Sequence, residues 1–123
     1  MASANQPIAL RFLGALEVAA RTGDWDGVYP LLAQDVEWVM PKRTLNGLDE
    51  VRSNLTWASP PENFDIGFEV GDLEDLDGDR VAVDVRQVYR MKATGEFAYH
   101  RVRRIELAVS DELVRRYEMR IVG

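Results

Sequence analysis

Cysteine is absent from the 123 residues and histidine occurs once. The first absence removes disulfides, thiolate nucleophiles and zinc–thiolate sites, and leaves a reducing cytosol as the default compartment. The second makes an all-protein zinc site improbable. No stretch approaches the roughly 20 apolar residues that cross a bilayer, and residues 1–6 have neither the basic start nor the apolar run of a signal peptide. Positive charge is also short, with 15 Lys and Arg against 21 Asp and Glu for a net −6. Nucleic-acid binding needs a basic face to neutralise phosphate, and the six arginines between residues 101 and 120 are interleaved with acids. The expectation is a cytoplasmic protein with no membrane, nucleic-acid, metal or cofactor partner.

What is present fits one globular domain over residues 1–123, with 46% hydrophobic and 29% charged residues. Ile8, Phe12, Leu16 and Ala20 recur at helical spacing behind Pro7, and Gly23 supplies a stop. Asp24 is placed to cap a second helix through Val28, Leu31 and Leu32, kinked or delayed by Pro30. Residues 37–40 form a short strand and 42–47 a loop. Leu48, Val51 and Leu55 share one face of a third helix with Asp49 and Glu50 in its first turn. From Phe64 onward the period changes to two, and turn signals at 77–79, 94–95 and 110–112 separate the strands. Helices within 7–57 followed by an antiparallel sheet over 64–122 make an α+β chain.

Turn length sets register, and register decides which side chains share a face. A two-residue turn at Thr94-Gly95 places Tyr89 opposite His100, Gln87 opposite Val102 and Val85 opposite Arg104. A three-residue turn at 110–112 then places Arg104 opposite Glu118 and Glu106 opposite Arg116. One face would carry Val85, Gln87, Tyr89, His100, Val102, Arg104, Glu106, Arg116, Glu118 and Arg120. The other would carry Tyr99, Arg101, Arg103, Ile105, Leu107, Tyr117, Met119 and Ile121. Each face is too apolar to be simply wet and too rich in arginine to be simply core. One face therefore curls around a partly polar pocket and the other meets a second subunit.

The strings Phe12-Leu-Gly-Ala-Leu-Glu, Gly23-Asp-Trp-Asp-Gly, Leu31-Leu-Ala-Gln-Asp-Val-Glu-Trp, Met40-Pro and Leu45-Asn-Gly-Leu-Asp-Glu-Val-Arg, in this order of elements, resemble the SnoaL-like branch of the nuclear transport factor 2-like superfamily. The resemblance implies a cone of three helices on a curved antiparallel sheet enclosing a pocket, and a homodimer through the outer sheet face. The activities it brings to mind are isomerisation, cyclisation and water addition. Position by position, the ketosteroid isomerase base falls on Met40 and its oxyanion-hole tyrosine on Phe12, neither of which can do that chemistry. The water-activating triad of limonene epoxide hydrolase falls on Gln87, Val85 and Glu118, with Arg104 across from Val85 as a replacement charge. The same comparison turns the face with Gln87, His100, Arg104 and Glu118 inward.

His100, the one side chain that ordinarily titrates near neutrality, is the candidate acid or base; a histidine simply satisfied within the sheet is the alternative. Glu118 would orient, and Arg104 with Arg116 or Arg120 would hold a developing oxyanion, against the plainer reading of mutual neutralisation with Glu106 and Glu118. Phe12, Trp38, Met40, Trp57, Val85, Gln87, Tyr89 and Val102 would line the pocket; for the tryptophans, plain core is the competing reading. The acids around Gly78 lack the spacing of a calcium loop, since Leu73 and Asp84 stand where ligating Asp and Glu belong. The reading is a small-molecule pocket protein taking a compact, partly apolar ligand with one polar or anionic group, either as a cofactor-independent acid–base enzyme or as a non-catalytic binding, accessory or protein-interaction module.

Overall fold

The computed structural model describes residues 5–55 and 62–123. Helix α1 spans Asn5–Thr22 and buries Ile8, Ala9, Phe12, Leu13, Leu16 and Ala19. It ends at Gly23, whose φ of 80° lets its amide close back on the Ala19 carbonyl at 2.8 Å, the left-handed stop that glycine adopts without strain.

The expected second helix is not formed. Asp24 instead accepts from the Asp26 amide at 3.0 Å, and Pro30 is confined to a single 3-10 turn, Tyr29–Leu31. A proline there removes the donor a longer helix needs, so the chain passes directly into strand β1, Leu32–Met40. This strand starts earlier than its predicted bounds. Residues 43–46, expected as loop, form β2, Arg43–Asn46. Helix α2 follows at Leu48–Leu55 with Val51 fully buried. The fold thus has two α-helices among the described residues, not three.

The remaining strands are β3, Phe64–Val70, β4, Glu74–Asp75, β5, Arg80–Met91, β6, Phe97–Ser110, and β7, Leu113–Ile121. They join β1 and β2 in one seven-stranded sheet, ordered β2-β1-β7-β6-β5-β3 with β4 on β5. The sheet is mixed, because β1 runs parallel to β7 while the other pairs are antiparallel. Helix α1 packs against one side of it, where Val81, Val83, Val85, Ile105, Leu107, Trp38 and Tyr117 join the helix residues in a single core. This side is called the inner face below.

Register departs from the turn-length prediction. The loop between β5 and β6 pairs Met91 with Glu96 and Arg90 with Phe97; Ala98 is then passed over, so that Tyr89 meets Tyr99 and Val88 meets His100. The Ala98 bulge shifts β6 by one residue, and a one-residue shift exchanges its two faces. Between β6 and β7 the turn holds two residues, Asp111 and Glu112, both with positive φ (54° and 62°), the backbone of a type I′ hairpin. Arg115 is the extra residue of a second bulge, since Ala108 pairs with Arg116 and Val109 with Val114. Its guanidinium ties the corner together through Ser110 Oγ at 2.7 Å, Asp111 at 3.2 Å and Asp35 at 3.3 Å.

Strand β3 is an outer strand of the sheet, and such edges invite unwanted pairing. Glu17 of α1 covers it by accepting the Phe68 amide at 2.6 Å. Glu17→Ala should therefore cost about 1–3 kcal/mol, the range for losing a charge-assisted hydrogen bond to a half-buried donor, and should speed exchange of the Phe68 amide proton; unchanged urea midpoint and unchanged exchange would remove this role. At the β6–β7 corner, left-handed backbone costs an ordinary residue roughly 1–2 kcal/mol, against the roughly 0.5–1 kcal/mol entropic cost of glycine. Glu112→Gly should accordingly stabilise the protein by about 0.5–1 kcal/mol in urea unfolding.

Candidate functional site

Alternation along the paired strands sorts the sheet into two chemically different surfaces. On the inner face, cross-strand rows run Val83–Ile105–Met119, then Val85–Arg103–Ile121, then Gln87–Arg101, then Tyr89–Tyr99. On the outer face stand Asp84, Arg86, Val88, His100, Val102, Arg104, Glu106, Arg116, Glu118 and Arg120 in the complementary positions.

The predicted site residues divide accordingly. Phe12, Trp38, Met40, Val85, Gln87 and Tyr89 belong to the α1 side. His100, Val102, Arg104, Arg116, Glu118 and Arg120, expected beside them, belong to the outer face because of the Ala98 bulge. Trp57 lies outside the described residues. The expected pairs are also displaced by two residues in β7: Arg104 faces Arg120, and Glu106 faces Glu118. Like charges directly opposite repel, and contacts with neighbouring opposite charges relieve them. Arg120 reaches Glu106 at 2.5 Å, while Arg116 bridges Glu118 at 2.9 Å and Glu37 at 2.6 Å. Hydrogen bonds to Glu118 and then Glu37 hold the Arg116 guanidinium above its ordinary range. Arg104 lies 3.5 Å from Asp84 and 3.6 Å from Glu74.

His100 is drawn into the same ladder. Arg86 donates to its Nδ1 from Nε at 3.1 Å and Nη2 at 2.9 Å, and to Glu69 at 2.8 Å. A guanidinium only donates, so Nδ1 must present its lone pair and any proton on the neutral ring sits at Nε2. The atom that would accept a substrate proton is thereby occupied.

Inside, aromatic rings make the wall. Trp38 stacks on Tyr117 with centroids 4.0 Å apart, and Phe12 meets both rings at 6.1 and 5.8 Å. Tyr117 is fully enclosed, and burial pushes its phenol far above the ordinary range, with Arg103 pulling weakly the other way. Its hydroxyl therefore stays protonated. Farther along the face, Tyr89 stacks on Tyr99 at 4.3 Å with Phe64 set edge-on to both. Arg101 lies over the Tyr99 ring at 5.7 Å.

At the end of β1 and β7 an apolar hollow of about 240 Å³ opens between Met40, Pro41, Lys42, Arg43, Met119 and Ile121. A second, of about 230 Å³, lies over Gly67 and Val88 between Asp65, Glu69 and Arg90. Beside the first, in the same row as Ile121, stands the residue sequence reasoning missed. Arg103 is only 8% exposed, and its Nη1 is buried without a hydrogen-bond partner among the described residues. It, and not Arg104, is the cation opposite Val85. Trp38 Nε1, Trp25 Nε1 and Tyr29 Oη are likewise buried and unpartnered. The signal for Arg103 was its alternation with Ile105 and Leu107, which a correct register would have turned inward. Among the described residues no cluster of His, Asp or Glu suits a metal ion, and no helix is long and apolar enough to cross a membrane.

Solved structures share this architecture. A nuclear transport factor 2-like protein from Anabaena variabilis superposes with a TM-score of 0.78 at 14% identity, covering 100% of this chain and 94% of its own. TerC, co-crystallized with polyporic acid, gives 0.69 at 20% identity over 98% and 92%. A protein of ketosteroid isomerase-like fold from Catenulispora acidiphila, in complex with trimethylamine, gives 0.64 at 12% identity over 89% and 83%. At these identities the likeness establishes the fold. Among curated proteins, none matches the chain. The SnoaL-like domain model matches residues 10–117, and with the curved mixed sheet, its two helices and this match in hand, the chain belongs to the SnoaL-like family of the nuclear transport factor 2-like fold.

Proposed function

We propose that this protein binds a compact, largely apolar small molecule at the inner face of its sheet, in the hollow bounded by Met40, Met119 and Ile121. The observation that carries this reading is the hollow itself: an almost wholly apolar concavity at the end of a core face where α1 no longer covers the strands. Ile121 is 61% exposed there, an unusual position for a large aliphatic residue that continues a core row unless something covers it. A volume of about 240 Å³ lies below the roughly 300–1,000 Å³ of typical ligand sites, so the ligand is small. Of two solved structures of the same fold, one is in complex with trimethylamine and the other was co-crystallized with polyporic acid, which supports the reading by analogy of fold.

Binding is favoured over acid–base turnover. The side chains proposed from sequence to move a proton, His100 with Glu118 and Arg104, belong to the outer face and are engaged with Arg86, Arg116 and Asp84. A ligand on the inner face is separated from them by the sheet, and a general acid or base has to reach its substrate within hydrogen-bond distance or through one water.

Titration with the neutral bicyclic 2-naphthamide, followed by tryptophan fluorescence, tests this reading. Saturable quenching is expected for the native protein. Ile121→Asp should weaken it at least tenfold, because burying an aliphatic side chain against a ligand contributes about 1.5–3 kcal/mol. His100→Ala should leave it within twofold. Absence of saturable binding, or a loss with His100→Ala equal to that with Ile121→Asp, would remove the assignment.

A further inference from the structure

We infer that the inner-face hollow is an anion receptor, and that its ligand carries a carboxylate or comparable oxyanion which docks on the guanidinium of Arg103. The inference rests on the proposed binding site and names the chemical class that site takes.

Three observations carry it. Arg103 is more than nine-tenths buried, yet it takes part in none of the ion pairs formed among the described residues, while Arg86, Arg104, Arg115, Arg116 and Arg120 all have carboxylates. None of the residues outside the described set, 1–4 and 56–61, is an aspartate or glutamate, so no side-chain carboxylate of this chain completes the pair from there. A buried cation without a counter-charge is destabilising, and proteins keep one where something else supplies the charge.

The second observation is the kind of atom left without a partner. Arg103 Nη1, Trp38 Nε1 and Trp25 Nε1 are donors that cannot accept, and the fourth, Tyr29 Oη, can also donate. Among the described residues the buried side-chain atoms left without a partner are thus donors, the complement of a group made of acceptors. A carboxylate offers about four lone-pair sites in the plane a guanidinium fork addresses. The Tyr117 phenol, which burial keeps protonated and which lies within electrostatic reach of Arg103, is a further donor of the same sign.

Position is the third. Arg103 occupies the row of Ile121, one step beyond the Ile105–Met119 row, so it stands directly behind the Ile121 wall of a hollow whose rim also carries Lys42 and Arg43. A ligand whose hydrocarbon part fills the space against Met119 and Ile121 would bring an attached oxyanion alongside Arg103. Arg101, more exposed and stacked on Tyr99, adds positive potential at the entrance.

A matched pair of probes separates this inference from the reading beneath it: 2-naphthoate and 2-naphthamide have the same ring system and differ in charge. The native protein should bind naphthoate at least tenfold more tightly. Arg103→Met should abolish that preference while leaving naphthamide within twofold, and Arg103→Lys, which keeps the charge but loses the fork, should fall between. The melting temperature of each free variant checks folding; Arg103→Met should match or exceed the native value, since it removes an uncompensated buried charge. Equal binding of both probes to native protein, or a preference that survives Arg103→Met, overturns the anion assignment and leaves the pocket standing. Failure of both probes to bind overturns the pocket and the inference together. Should Arg103→Met unfold, Arg103→Lys alone decides: an undiminished naphthoate preference refutes the docking of the oxyanion on the planar fork, and a reduced one sustains it.

Discussion

A strand has two sides and a period of two, so a single inserted residue decides what an entire sheet face contains. Ala98 is that residue here. With either the two-residue turn expected at Thr94-Gly95 or the longer loop observed, β6 would set His100 level with Gln87 or Tyr89 and turn it toward α1. The bulge moves Tyr99, Arg101, Arg103, Ile105 and Leu107 to that side. In β7 the two-residue turn and the Arg115 bulge each shift the register by one, and the second shift restores the side that the first would have exchanged. The separation of a charged outer surface from an aromatic interior follows from these two irregularities, and so does the identity of the cation that ends up inside.

The charged surface is organised to neutralise itself. Directly opposed residues in the observed register, Arg104 with Arg120 and Glu106 with Glu118, are the unfavourable combination. A diagonal Arg120–Glu106 contact and an Arg116–Glu118 contact along β7, extended to Glu37 on the parallel strand, relieve them. Exposed pairs of this kind each contribute little, about 0–1 kcal/mol. Their consequence is positional more than energetic, because the oxygens and the ring nitrogen that could meet a substrate are already turned to arginines. The plainer reading of these residues as mutual neutralisation describes their contacts well, though through different partners from those expected.

Much of the fold was legible. The α1 periodicity, its Gly23 stop, the α2 face with Val51, and the alternating strands all follow from spacing that local physics enforces. The missing helix was foreshadowed by Pro30, whose weight against a helix exceeded the capping offered by Asp24. The parallel β1–β7 contact was not legible, because pairing between segments so distant in sequence leaves no local mark. Bulges were invisible for a different reason: Ala98 and Arg115 have unremarkable side chains for a strand, and neither position carries the glycine that would flag an irregularity. The candidate residues on α1, β1 and β5 therefore share the face expected of them, while those on β6 and β7 were exchanged front for back.

The buried Arg103 illustrates how such an exchange alters a functional argument. In the predicted register it stood on the face expected to meet a second subunit, opposite Met119 and away from the pocket, and no role fell to it. In the observed register every other arginine of β6 and β7 except the entrance residue Arg101 has a carboxylate, and the one turned to the core does not. A guanidinium can reach water from a hydrophobic setting only by extending its stem, and at 8% exposure this one has not done so. The aromatic wall of Trp38 and Tyr117 adds donors in place of the acceptors Arg103 lacks. The local sequence Arg-Val-Arg-Arg-Ile-Glu-Leu thus alternates ion-ladder members with core members in successive positions, and the single residue that is both cationic and core is the one whose charge the protein does not answer from its own side chains.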